Sequence, residues 1–335
     1  MKAAIYDGEV LSVQETSKPE FSDTQVLIQV KSAGICGTDL AIVNGSLPTP
    51  TPIILGHEFS GDVIEIGDKV ESKWLKKKVT SEINSNIDFN CFYCKQKQYT
   101  QCISRKALGI DIDGAFAEYI AVESYLLHEI PNRISYEQAT FIEPLAAAYQ
   151  IFEMMPLEES DKSIVIFGLG KLGLLITQIA VSKGLDTIVV DGSHKKLNLA
   201  KKFGAYYQIN RFEGINIPTT IKSYTKGLGA DIVVDATGNP LALNDLIASC
   251  RTQGKIHIKS THGVNTPINL TELVVRELTL YTSRCGPFEK AIEGLKAGQI
   301  EVEKLISKKF DLKDINKALN FHMKNPEYIK AIIQI

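Results

Sequence analysis

The spacing of apolar and polar residues divides the chain into two textures. Up to about residue 145 the apolar residues come in short strand-like runs, among them Gln25–Lys31, Ser60–Ile66 and Phe116–Val122, broken by Gly, Pro and Asn. Few stretches there sustain a helical period, which predicts a mostly β region with long loops. From about 146 to 285, strand-length apolar runs alternate with helical faces. Ser163–Phe167 is such a run. Lys171–Lys183 follows, with Leu172, Leu175, Ile176 and Ile179 at three- and four-residue spacing. Thr187–Val190, Asp231–Val234 and Lys255–Ile258 are further apolar runs. Continuous apolar strands alternating with amphipathic helices predict a parallel sheet covered on both faces. Glu277–Ser283 reads as a strand at the edge of that sheet. The tail predicts helices over Phe288–Lys296 and Asp314–Lys324 and a closing strand near Ile329–Ile335. The expectation is an α/β chain. A doubly wound parallel sheet occupies 146–299, and a mostly β domain is built from 1–145 together with 300–335.

Composition narrows the functional classes. At ~150 residues per domain, 335 residues fit two domains. The 37 Lys and Arg against 39 Asp and Glu leave a net charge of −2, which gives no footprint for nucleic acid or an anionic membrane. The Lys76–Lys78 run is read as a solvated turn. No apolar run reaches the ~18–20 residues of a membrane span, and Asp7 and Glu9 interrupt the start, where a signal peptide is apolar. A cytoplasmic protein without nucleic-acid or membrane partners is expected. Six cysteines are too few for a disulfide scaffold, yet Cys91, Cys94 and Cys102 crowd into twelve residues. In a reducing compartment such crowding points to metal.

The first strand and first helix of the alternating region are joined by Gly168-Leu169-Gly170-Lys171-Leu172-Gly173. G-x-G-x-x-G in this strand–loop–helix setting is a dinucleotide signature when an acid ends the next strand, and Asp191 stands there, eighteen residues past Gly173. Gly168 permits the tight turn. Gly170 lets the loop amides, with Lys171 and Leu172, approach a pyrophosphate at the helix N-terminus. Gly173 lets helix and strand pack closely. Asp191 would accept hydrogen bonds from ribose hydroxyls and repel a 2′-phosphate, which favours NAD over NADP. Asp235-Ala236-Thr237-Gly238 ends a later strand on the same rim, and Thr237 is a further candidate for cofactor contact. Lys259-Ser260-Thr261 ends another strand and is a candidate lining for the nicotinamide pocket, with His262 read as a surface loop.

Two groups of residues have metal-ligand chemistry. Cys36 follows a β run, His57-Glu58 comes twenty-one residues later, and Glu143-Pro144 lies far beyond. Cys, His and carboxylate suit zinc, and a catalytic zinc keeps one position open. Pro144 disfavours α conformation at Glu143, which predicts an irregular backbone there. The second group, Cys91-x-x-Cys94 with Cys102 eight residues on, has the pattern of a closed structural zinc site. Cys250 and Cys285 have no metal spacing and are expected in packing.

With the glycine loop, these residues resemble the zinc-dependent medium-chain alcohol dehydrogenases, closest to the polyol and threonine dehydrogenase branch. Gly114-Ala-Phe-Ala-Glu118-Tyr119 and Ser283-Arg-Cys-Gly-Pro287 extend the resemblance over essentially the whole chain. It implies a Rossmann domain beside a GroES-like catalytic domain. It implies catalytic zinc on Cys36 and His57, completed by Glu58 or Glu143 directly or through water. Thr38 matches the hydroxyl that takes the substrate proton, and Asp39 an acid that orients the metal site. The usual relay histidine is replaced by Ala41. Registered on the family's four-cysteine lobe, Cys91, Cys94 and Cys102 leave Asp88 in the first ligand position. Lys196 matches a cation near the adenosine ribose, and Lys330 the place of an arginine on the pyrophosphate. The edge strand implies a homodimer or homotetramer. The implied activity is hydride transfer between NAD and a secondary alcohol of a polyol, sugar or other small hydroxylated metabolite. Two rivals stand beside it, an NADP-dependent sugar or aldehyde reductase on the same fold and a non-catalytic zinc and nucleotide-binding relative.

Overall fold

The computed structural model describes residues 1–261 and 263–335; His262 lies outside the described residues. The chain forms two compact units, Met1–Glu143 with Glu301–Ile335, and Pro144–Ile300. No helix among the described residues is long and apolar enough to cross a membrane.

The first unit starts with strands β1 (Lys2–Tyr6), β2 (Leu11–Glu15), β3 (Gln25–Gly34), β4 (Ile53–Ile54) and β5 (Glu58–Ile66). It continues through β6 (Lys78–Ser81), β7 (Asn84–Ser85), β8 (Lys106–Ala107), β9 (Tyr119–Glu123) and β10 (Leu127–Glu129). The second unit holds β11 (Ser163–Phe167), β12 (Asp186–Asp191), β13 (Tyr207–Asn210), β14 (Ala230–Asp235), β15 (Cys250–Ile258) and β16 (Thr279–Thr282). The chain then returns to the first unit with β17 (Ile306–Asp311) and β18 (Lys330–Gln334).

In the first unit the main sheet runs β10-β6-β5-β3-β18-β17, with β9 also on β3. β3 is central, and Val26, Leu27, Ile28 and Val30 on successive faces are all buried. Its register places Gly34 opposite Glu58 of β5 and opposite Ile332 of β18. Cys36 leaves β3 two residues past Gly34, His57 precedes β5, and Lys330 opens β18. One end of one strand therefore collects residues from three distant segments.

The second unit is a parallel sheet in the order β13-β12-β11-β14-β15-β16. Val165, Phe167, Ile188, Val233 and Ile256 pack on one face with Ile221 and Leu246 of the covering helices. The order reverses between β11 and β14, and ligands of such sheets bind beyond the carboxyl ends of the strands at this switch point.

Candidate active site

Cys36 ends the β3 segment as the cap of the Gly37–Val43 helix. Its backbone N–H donates to Asp39 Oδ2 at 2.7 Å, and the Asp39 carboxylate is completely buried. His57 is 3% exposed, and its Nδ1 has no hydrogen-bond partner among the described residues but faces Asp39 Oδ1 at 3.7 Å. One ligand atom each of Cys36, His57 and Glu58 lies within 4.8 Å of the others. Burial on its own lowers the His57 pKa, but the surrounding Asp39, Cys36 and Glu143 charges outweigh it and raise the pKa to about 10. A dry pocket in which anions draw a proton onto an imidazole is one that accepts a cation. Thiol, imidazole and carboxylate are donors that zinc takes, so the residues fit the metal. The Thr38 hydroxyl oxygen lies 3.8 Å from Cys36 Sγ. Ala41 is partly exposed on the same short helix and offers no side chain for proton transfer.

Glu143 differs from expectation. It lies in the first turn of the Ile142–Met154 helix, not on irregular backbone. Pro144 is tolerated there because first-turn N–H groups have no intrahelical partner to lose. Glu143 stands outside the three-residue cluster but is close enough for its charge to act on His57.

Lys330 also differs. Its side chain is fully buried and pairs with Glu58 Oε2, with the Thr140 carbonyl oxygen 3.4 Å from Nζ and the Phe141 ring centroid at 4.8 Å. A Cβ on Gly34 would collide with Nζ, so glycine at that position makes the lysine's space. Lys330 therefore counters a buried carboxylate and does not present its charge to a pyrophosphate. A lysine within the apolar run Tyr328–Ile333 is the signal that a buried anion must lie opposite.

The cysteine-rich lobe brings ligand atoms of Asp88, Cys91, Cys94 and Cys102 within 4.8 Å of one another. Asp88 Oδ1 accepts the Asn90 and Cys91 amides, both at 2.8 Å, and Oδ2 accepts the Ser104 hydroxyl. The Cys91 and Asn90 amides hold the Asp88 carboxyl well below the usual carboxylate range. Burial, reinforced by the Cys91 and Cys102 thiols, pushes Cys94 up to about 12, which a bound cation would reverse. A carboxylate already ionised beside three converging thiols fits zinc. None of the six cysteines forms a disulfide, and Cys250 is fully buried.

In the second unit Gly168 turns the chain at φ +89°, with Ala236 carbonyl oxygen where a Cβ would stand, and a Cβ on Gly173 would strike the Gly168 carbonyl. A Cβ on Gly170 would meet nothing within 4 Å, so the loop is open where a phosphate approaches. Lys171 and Leu172 open the Lys171–Ser182 helix and are partly exposed. Asp191 Oδ2 accepts the Leu169 amide at 2.7 Å and Oδ1 the Ser193 amide at 2.8 Å. Ser193 caps the His194–Lys202 helix through the Lys196 amide, and Lys196 is half-buried. Thr237 Oγ1 donates to Asp235 Oδ1 at 2.6 Å.

The chain is similar to known proteins over nearly its whole length. Residues 22–132 match the alcohol dehydrogenase GroES-like domain, and residues 172–297 match the zinc-binding dehydrogenase domain. D-arabitol-phosphate dehydrogenase of Enterococcus avium is 34% identical over 328 residues, covering 96% of this chain and 92% of the relative. Sorbitol dehydrogenase of Halalkalibacterium halodurans is 30% identical, covering 96% and 95%. The solved structure of an alcohol dehydrogenase from Escherichia coli CFT073 complexed with NADH superposes with a TM-score of 0.92 at 27% identity, covering 100% of this chain and 99% of that one. The chain belongs to the zinc-dependent medium-chain alcohol dehydrogenase family. It is an oxidoreductase that uses zinc and a nicotinamide cofactor to move hydride from or to an alcohol.

Proposed function

We propose that this enzyme oxidises a secondary alcohol of a polyol or phosphorylated polyol with NAD, the substrate chemistry named for the arabitol-phosphate and sorbitol dehydrogenases it resembles. The observation that carries the reading is the convergence of half-buried Cys36 with buried His57 and Glu58, in a chain that also carries an open glycine loop after its first parallel strand. Cys36 and His57 hold the catalytic zinc, Glu58 completes the set, and Glu143 adds charge. Zinc there supplies the positive charge that lowers the pKa of an alcohol O–H. Asp39 fixes the segment carrying Cys36 and faces the ring of His57, so it sets the orientation of both ligands. The Thr38 hydroxyl, next to the Cys36 sulfur, takes the substrate proton. With Ala41 following on the helix, that proton passes on through water or ribose hydroxyls.

The amides of Gly170, Lys171, Leu172 and Gly173 receive the pyrophosphate, with Gly168 shaping the turn. Asp191, Lys196 and Thr237 belong to the cofactor site, and the Asp191 carboxylate selects NAD against a 2′-phosphate. Asp88, Cys91, Cys94 and Cys102 hold a second zinc that stabilises the lobe without entering the reaction. Six cysteines without a disulfide suit a cytoplasmic setting. The protein acts as a homo-oligomer joined through β16.

The test is a dehydrogenase screen over polyols, polyol phosphates, sugars and amino alcohols with each nicotinamide cofactor, run beside metal analysis. Two zinc ions per chain and NAD-linked oxidation of a polyol are expected. Cys36→Ser removes one zinc and lowers turnover by at least about 100-fold, the scale of losing a first ligand or its support. A preference for NADP, or one zinc that survives Cys36→Ser, overturns the reading.

A further inference from the structure

Two acids, Asp191 half-buried and Asp235 buried, end strands on opposite sides of the switch point and make the same kind of link. Asp191, at the end of β12, accepts amides from the loop after β11 and from its own loop, at Leu169 and Ser193. Asp235, at the end of β14, is 7% exposed. Its Oδ1 accepts the Thr237 amide at 2.9 Å and hydroxyl at 2.6 Å, and its Oδ2 accepts the Ser260 hydroxyl at 2.6 Å. Ser260 Oγ in turn accepts the Gly238 amide at 2.8 Å. One serine hydroxyl thus ties the loop after β14 to the loop after β15.

Lys259 carries the link one strand further. Its Nζ donates to Ser283 Oγ at 2.9 Å, the Ser283 carbonyl at 3.2 Å and the Arg284 carbonyl at 2.6 Å. Three successive strand-end loops, at 236–239, 259–260 and 283–284, are fastened into one rim. A single lysine with three oxygen acceptors and a serine used as both donor and acceptor are an expensive way to order exposed loops, because each residue so fixed loses conformational freedom.

A doubly wound sheet binds a dinucleotide as two mononucleotide halves, one on each side of its switch point. The glycine loop and Asp191 occupy the side assigned to the adenosine half. We infer that the Asp235–Ser260–Lys259 network is the corresponding device for the nicotinamide half. Ser260 and Lys259 are positioning residues, which hold the three loops in the shape that receives the nicotinamide riboside. This rests on the placement of the pyrophosphate at Gly168–Gly173, and ADP-ribose binding by the unaltered protein checks that placement separately.

The experiment compares NADH, which carries both halves, with ADP-ribose, which lacks nicotinamide. In Ser260→Ala and in Lys259→Met, NADH binds about tenfold more weakly, the scale of one lost anchoring hydrogen bond to a charged or buried group. ADP-ribose affinity stays within about twofold, since no contact in the adenosine half is altered. Ser260→Thr, which keeps the hydroxyl, restores NADH binding. Unchanged NADH affinity in both variants overturns the inference. So does equal weakening of NADH and ADP-ribose, the mark of a general structural defect. The two variants break different bonds, so misfolding of one leaves the other to decide.

Discussion

A lysine inside an apolar strand needs an anion, and for Lys330 that anion is Glu58, 272 positions away in the chain. Both side chains are fully shielded from solvent. Removing one partner of such a pair leaves a charge without compensation in a low dielectric, which costs about 3–5 kcal/mol. Lys330→Met should therefore lower unfolding free energy by about that much, read by denaturant titration of chelated protein so that metal cannot replace the ammonium. Glu58→Gln added to Lys330→Met should recover part of the loss, because no charge is then buried. An unaltered midpoint in the single variant contradicts the pairing. At this scale the sequence was informative where a residue's neighbours along the chain set its role. The glycines of 168–173 and the thiols of 91–102 are of that kind. For Lys330 it signalled the need for a buried anion but not which one, because the partner is chosen by the register of three strands that no local pattern specifies. The Ser260 link to Asp235 was hidden for the same reason.

Elements were legible where one period dominates. The run Ser163–Phe167 is a strand with those ends, because it is apolar on both faces and bounded by polar residues. The run predicted at Phe116–Val122 begins its ladder only at Tyr119. Phe116 instead gives its carbonyl to the Ala4 amide, and Ala117 bridges to Ala3. Those residues are extended and apolar, but their partners lie in another sheet. Within β15, His257 illustrates an element that tolerates a polar residue at a cost. It is fully buried, and neither ring nitrogen has a hydrogen-bond partner among the described residues. Burial, helped by the nearby Lys259 charge, holds its pKa down to about 4. The unfolded chain protonates this histidine near 6.5, so between these values it binds more protons than the folded one. The neutral ring's contribution is complete above about pH 6.5 and is lost as pH falls toward 4, a difference of about 3 kcal/mol. His257→Leu should flatten this part of the stability–pH curve and leave stability at pH 8 equal or higher, since an unpaired polar group is removed. Denaturant titrations from pH 4 to 8 check it, and a curve of unchanged slope refutes it.

For the whole molecule, the open parallel sheet poses a problem that neither its core nor its cofactor loop answers. Its two edge strands are β13 and β16. At β13, Tyr207 stacks on Tyr224 of the neighbouring helix at 3.8 Å, so a helix covers that flank. β16 instead is exposed at Thr279, Leu280 and Thr282 and half-buried only at Tyr281, with Leu280 38% exposed. The helix before it, Leu270–Val275, turns Leu270, Val274 and Val275 outward at 63%, 74% and 73% exposure. Unpaired strand edges and exposed apolar side chains together favour association, and a second copy of the same edge satisfies both at once. Charge placed there should oppose assembly while leaving the Cys36, His57 and Glu58 cluster and the glycine loop untouched. Val274→Glu with Val275→Glu is expected to halve the solution mass measured by light scattering, with zinc content per chain and ADP-ribose affinity unchanged. If the unaltered protein already has the mass of one chain, β16 is a tolerated edge and no interface. If the double variant keeps the full mass, the subunits meet elsewhere.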